Sequence, residues 1–141
     1  MTAQERAKRV AAAMWAGDAA SRELGLRVVE VDAGRAVLEL TVEARHCNGH
    51  GICHGGVTFT LADSAFAYAC NSRNQTTLAQ HNSITYLAPA RPGDVLRATA
   101  EETSLAGRSG IYDVTVTDQS GRRIALFRGL SRSVGGAVFD E

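Results

Sequence analysis

Residues 48–71 constrain the chain more than any other stretch. They open as a glycine-rich loop, Asn48-Gly49-His50-Gly51-Ile52-Cys53-His54-Gly55-Gly56, and pass into a run of high helix propensity with almost no polar face. Leu61, Ala62, Ala65, Phe66, Ala67, Tyr68 and Ala69 surround a single carboxylate, Asp63. A helix that is apolar nearly all round belongs inside a protein, so the rest of the chain has to supply a surface that curls around it. Taking a carboxylate out of water is costly unless something compensates. Asp63 is therefore the first candidate for function. The alternative is a structural carboxylate that caps a loop from inside the core.

The loop supplies the second candidate. His54-Gly55-Gly56 falls where the helix begins, and the first turn of a helix carries free N–H groups at the positive end of its dipole. Glycine lets another molecule approach that backbone closely. A free amide there can polarise a carbonyl and hold an oxyanion. Gly55 and Asp63 stand eight positions apart, or about 12 Å along a helix axis. Both cannot reach one carbonyl carbon from the same helix. A two-fold axis resolves the distance, because Gly55 of one subunit then lies near Asp63 of the other. The expectation is an active site shared across a homodimer.

The remaining pattern places this helix among strands. Residues 2–16 read as a helix with a Thr2/Glu5 capping box, and Asp18 caps a short second helix that ends at Gly25. From residue 26 the apolar period becomes two. Residues 26–31 and 35–42 form a hairpin around Asp32-Ala33-Gly34, and further strands are expected at 76–87, 94–104, 109–117 and 123–133. Gly135-Gly136 opens a tail expected to fray. Segregated helices and hairpin-linked strands mean an α+β fold in one domain spanning 1–141. Two such sheets pairing edge to edge would cover both exposed edges.

Composition narrows the partners. The formal net charge is zero, which argues against nucleic acid. No apolar run is long enough to span a membrane, and the first residues lack the continuous apolar core of a secretory leader. Cys47, Cys53 and Cys70, an odd number, fit free thiols in a reducing cytoplasm. Lys8 is the only lysine; the arginine bias suits phosphate contacts, and codon usage would produce it equally.

Three motifs together carry a family resemblance: Asn48-Gly49-His50…His54-Gly55-Gly56, then Leu61-Ala62-Asp63-Ser64-Ala65, then Leu87-Ala88-Pro89-Ala90-Arg91-Pro92-Gly93-Asp94. The chain resembles the hotdog-fold acyl-CoA thioesterases from about Trp15 to Gly136. The run at 61–72 and Ala125-Leu126-Phe127-Arg128-Gly129 are most similar to the phenylacetate-degradation, PaaI-like branch. The resemblance implies a long central helix wrapped by an antiparallel sheet, and dimers that pair into a homotetramer. It implies hydrolysis of an acyl-CoA, typically phenylacetyl-CoA or a ring-hydroxylated form, without a cofactor. Asp63 would be nucleophile or general base, and the Gly55 N–H would hold the thioester carbonyl. Asn48 and His54 would support the site, with Gly56 beside the substrate. Some relatives carry a hydroxyl side chain on the strand after the helix, where Ala79 aligns here.

Other readings compete. His46, Cys47, His50, Cys53 and His54 have the donor types for zinc, but their spacing matches no common knuckle, so no metal is expected. Cys53 beside His54 is a poor nucleophile–base pair, because sequence neighbours seldom face each other. Ser64 lacks a nucleophile elbow. Asn48 serves equally well as a turn residue. Arg91 and Arg108, at strand ends, are candidates for the coenzyme A phosphates. The alternative function is a non-catalytic acyl-CoA sensor on the same fold; a hydratase would need a His beside an Asp after the helix start, which is absent here.

Overall fold

The computed structural model describes residues 1–141. Helix α1 (Ala3–Gly17) starts at the expected capping box: Thr2 Oγ1 accepts from the Glu5 N–H at 3.0 Å, and Glu5 Oε2 accepts from the Thr2 N–H at 2.9 Å. Asp18 caps α2 (Ala19–Leu24) by accepting from the Ser21 N–H, and Gly25 ends it in the left-handed conformation. Strands β1 (Arg27–Asp32) and β2 (Arg35–Thr41) form the first hairpin. The loop after β2 is more ordered than its composition suggests. It holds a single 3-10 turn at Ala44–His46 and a bridge between Cys47 and Cys53.

Helix α3 (Gly55–Cys70) is followed by β3 (Thr77–Tyr86), β4 (Val95–Ala106), β5 (Ser109–Thr117) and β6 (Arg123–Ser133). Strand β4 runs two residues past its expected end, because Gly107 at φ +60° permits a tight turn with Arg108 directly into β5. The sheet is antiparallel throughout, in the order β1-β2-β4-β5-β6-β3. Four register shifts, one each in β1, β3 and β4 and one between β5 and β6, mark where it bends. The central strands β2, β4 and β5 press on α3, burying Leu61, Ala62, Ala65, Phe66, Tyr68 and Ala69. Alanines on the helix meet alanines on the sheet, including Ala36, Ala98 and Ala100, so the two backbones approach closely.

Two polar links brace this core from behind. Tyr68 OH donates to Asp18 Oδ2 at 3.0 Å, and the Ser21 and Ser64 hydroxyls meet at 3.2 Å. The expected fraying after Gly135 is not what the structure shows. Asn74 Oδ1 accepts from the Val138 and Phe139 N–H groups, and its amide donates to Phe139 O. Arg6 pairs with Glu141. Composition alone hid these links, because the partners lie more than sixty residues away in sequence.

Gly129 marks a close contact between α3 and the sheet. A methyl group there would sit 2.7 Å from the Phe66 ring. That ring is held between Tyr112 and Phe127, with centroids 5.6 and 5.9 Å away, and cannot swing aside. Gly129→Ala should therefore destabilise the fold by about 1–3 kcal/mol, the usual range for overpacking. Chemical denaturation checks this; an unchanged midpoint would mean that the ring has room to move.

Candidate functional site

The start of α3 is shaped by His54. Its backbone is extended, with φ −60° and ψ 135°, and its Nδ1 accepts from the Gly56 N–H at 2.9 Å. The imidazole is thus a helix cap that bonds backbone. His54 O accepts from the Val57 and Thr58 N–H groups. Of the first-turn donors, the Gly55 N–H alone finds no acceptor in the chain. Glycine also eases the fit there: a Cβ would lie 3.1 Å from the exposed Tyr86 ring, whose hydroxyl donates to Gly55 O at 2.8 Å, and the ring would have to give by a few tenths of an ångström. The Gly55 amide borders a cavity of about 430 Å³ lined by Asn48, Thr58, Tyr86, Leu87 and Ala90. Asn48 is a turn residue that also lines a cavity. Its Oδ1 accepts from the His50 N–H and ties the turn, and it also faces this cavity.

Asp63 opens elsewhere. It borders a cavity of about 510 Å³ whose other walls are mainly apolar, among them Met14, Phe66, Leu78, Ala79 and Val138. Gly55 and Asp63 therefore face different spaces within one chain, as their separation along the helix requires. Burial pushes the Asp63 carboxyl above the ordinary aspartate range, and the Asn82 side chain pulls it partly back by donating Nδ2–H to Oδ1 at 3.1 Å. Asn82 is the partner of Asp63 that the sequence pattern did not reveal. Its signal was an asparagine in mid-strand, where that residue is disfavoured. Its own Oδ1 is buried without a partner in the chain.

Three points of contact set the register of β3 along α3. Tyr86 bonds Gly55, Asn82 bonds Asp63, and the Asn71 side chain bonds the Thr77 N–H and C=O at 2.9 and 3.0 Å. Eight helical residues rise about 12 Å and four strand residues about 13 Å, so the contacts recur in step. The second interval on β3 has one residue too many, and the register shift between Ala79 and His81 absorbs it. Ala79 lines the Asp63 cavity but offers no hydroxyl.

The other candidates sort by their partners. His46 is fully buried: Nδ1 accepts from the Glu43 N–H, and Nε2 bonds Leu24 O at 2.8 Å. It braces the loop and is not free to ligate. Burial raises the Cys53 thiol, and pushes Cys70 up to about 12, so neither supplies a thiolate near neutral pH. Arg91 and Arg108 are exposed, and neither guanidinium has a carboxylate partner. Arg91 adjoins Ala90 on the Gly55 side, whereas Arg108 lines a polar depression with Gln75 and Ser133 at the far end of β3. A further cavity of about 500 Å³, between α1 and β1, holds neither Asp63 nor Gly55.

Comparison with known proteins agrees with this arrangement. The thioesterase superfamily model matches residues 50–125, which span the α3 cap, Asp63 and Asn82. The chain is 43% identical over 129 residues to the acyl-coenzyme A thioesterase PaaI of Escherichia coli strain K12, covering 92% of each protein. The solved structure of the E. coli PaaI protein from the phenylacetic acid degradation operon superposes with a TM-score of 0.95 at 41% identity, over 96% of this chain and 99% of that one. A hypothetical thioesterase from Streptococcus pneumoniae TIGR4, solved with coenzyme A, superposes with a TM-score of 0.77 at 25% identity, over 80% and 91% of the two chains. The chain thus belongs to the thioesterase superfamily and has its hotdog fold, with α3 wrapped by the six-stranded sheet.

Proposed function

We propose that this chain is a cytoplasmic acyl-CoA thioesterase acting on phenylacetyl-CoA or a ring-hydroxylated phenylacetyl-CoA. The observation that carries the reading is Asp63: a half-buried carboxylate on an apolar helix, facing a mainly apolar cavity of about 510 Å³, steadied by one hydrogen bond from Asn82. A protein does not keep such a group for stability, since burial disfavours its charge. The 43% identity to E. coli PaaI supports the substrate class.

In this reading the working unit is a homodimer, paired again into a tetramer. Its support is the long edge strand β3, which is exposed along most of its length and flanked by exposed Leu78, Tyr86, Leu87 and Leu126. Edge-to-edge pairing there would cover these groups. It would also bring the Gly55 amide of one subunit toward Asp63 of the other. The thioester carbonyl oxygen accepts from the Gly55 N–H, which stabilises the charge that develops during attack. Asp63 either attacks the carbonyl carbon or removes a proton from an attacking water. In the first route the C–S bond breaks as a mixed anhydride forms on Asp63, and a water then hydrolyses it; in the second the water adds directly and the C–S bond breaks. In both, coenzyme A leaves as its thiol, its proton coming from that water, and the acid is released. Arg91 and Arg108, without carboxylate partners, are available to the nucleotide phosphates.

A thiol-release assay over a panel of acyl-CoAs tests the function. Phenylacetyl-CoA should be cleaved well, and Asp63→Ala should lower kcat by about 10²–10⁴-fold. A wild type that binds acyl-CoAs but cleaves none would make the protein a sensor instead. The pH profile tests the carboxylate separately. Asp63 acts ionised and its pKa is raised, so kcat/KM should climb with pH through a limb above the ordinary aspartate value. Asn82→Ala removes the group that lowers this pKa and should move the limb to higher pH. A limb at the ordinary value, unmoved in the variant, would contradict the assignment.

A further inference from the structure

Residues 134–141 leave β6 and fold back toward the end of α3. The Val134 N–H donates to Thr76 O and the Thr76 N–H donates to Gly136 O, which prolongs the ladder between β6 and the approach to β3. Gly135 and Gly136, at φ +91° and +88°, then turn the chain. Asn74 grips the backbone just beyond this turn. Its Oδ1 accepts from the Val138 and Phe139 N–H groups at 2.9 and 3.0 Å, and its Nδ2 donates to Phe139 O at 3.0 Å. Asn74 is 7% exposed and is the only non-glycine residue at positive φ, +64°. Asparagine tolerates that conformation better than other residues with a side chain. Helix α1 supplies a second anchor: the Arg9 guanidinium lies 4.5 Å over the Phe139 ring, and Arg6 donates to Glu141 at 2.6 Å.

This segment buries little of itself. Residues 134–137 are exposed, Val138 and Phe139 are half-buried, and none belongs to the core. Hydrogen bonds rather than packing fix its position. What it does is line the Asp63 cavity: Ala137 and Val138 form one wall, with Met14, Phe66 and Leu78 among the others. We infer that Ala137 and Val138, latched through Asn74, are the wall that limits the size of the acyl group admitted beside Asp63. The inference rests on the proposed acyl-CoA thioesterase reading and adds the determinant of its selectivity. Asn74 is the anchor nearest the wall, Arg6 and Arg9 holding only the residues beyond it, so the wall can be displaced without touching the chemistry. Because one methylene in an apolar pocket changes discrimination by about 10–200-fold, even a small displacement should show.

Two variants of the full chain test this. Asn74→Gly keeps the left-handed backbone but loses all four side-chain bonds to the segment, the fourth being Nδ2–H donated to Glu141 Oε2 at 3.3 Å. Ending the chain at Gly136 removes the wall and retains the Thr76–Gly136 bond. In each, kcat/KM is measured for phenylacetyl-CoA and decanoyl-CoA, and hydrogen exchange follows the Val138 and Phe139 amides in Asn74→Gly. The ratio of decanoyl to phenylacetyl activity should rise by about tenfold or more in both variants. For phenylacetyl-CoA the loss should appear in KM with kcat nearly kept, because the reacting groups are intact. Faster exchange at Val138 and Phe139 should accompany the change in Asn74→Gly. A ratio unchanged in both variants, or a fall in kcat on both acyl groups alike, would overturn the wall and leave the thioesterase reading standing. A wild type that cleaves no acyl-CoA would overturn that reading, and the wall with it.

Discussion

Eight residues of α3 and four of β3 cover nearly the same length, and the structure is built on that coincidence. It lets one edge strand run along the helix and touch it at its start, middle and end, through Tyr86, Asn82 and the Asn71 side chain. The middle contact holds Asp63. The cost of desolvating that carboxylate is offset only in part by the single amide bond, which is why its pKa remains raised. The rest of the fold keeps this unfavourable group in place. Ala62, Ala65 and Ala69 let the sheet approach, Gly129 admits the Phe66 ring, and Tyr68 ties the helix back to Asp18.

The same register keeps the Gly55 amide and the Asp63 carboxylate apart within one chain. The free amide at Gly55 and the carboxylate at Asp63 open into separate cavities, with Tyr86 beside the first and Asn82 beside the second. Between them β3 presents an unpaired, largely exposed edge. A helix cannot be shortened to bring the two groups together, but a two-fold axis can bring each to its counterpart. The loop before α3 is correspondingly rigid. Buried His46 bonds backbone on both ring nitrogens, and Asn48 and His54 fix the turns on either side.

What was legible in the sequence was local. The Thr2/Glu5 box, the Asp18 cap, the Gly25 stop and the hairpin at Gly34 each depend on residues a few positions apart, and all appear as expected. So does a helix apolar all round with one carboxylate, because that pattern has few other solutions. The misses involve partners distant in sequence. Asn82 reaches Asp63 across 19 positions, and Asn74 reaches the final segment across more than 60. Nothing in the composition of residues 134–141 indicates that they are held. For His54, the sequence could place the ring at a helix start, and the extended backbone shows it acting as the cap.

The central claim is that one catalytic centre is assembled from two subunits, and linked dimers test it most directly. Asp63→Asn and Gly55→Pro are introduced into a tandem fusion of two copies, either together in one copy or one in each. Proline removes the amide at a first helical position, and the extended His54 backbone suits the residue before it. With shared sites, one substitution in each copy spoils a single centre twice and leaves about half the activity, whereas both in one copy spoil both centres. The reverse pattern, with activity surviving only when both substitutions lie in the same copy, would show that each chain works alone.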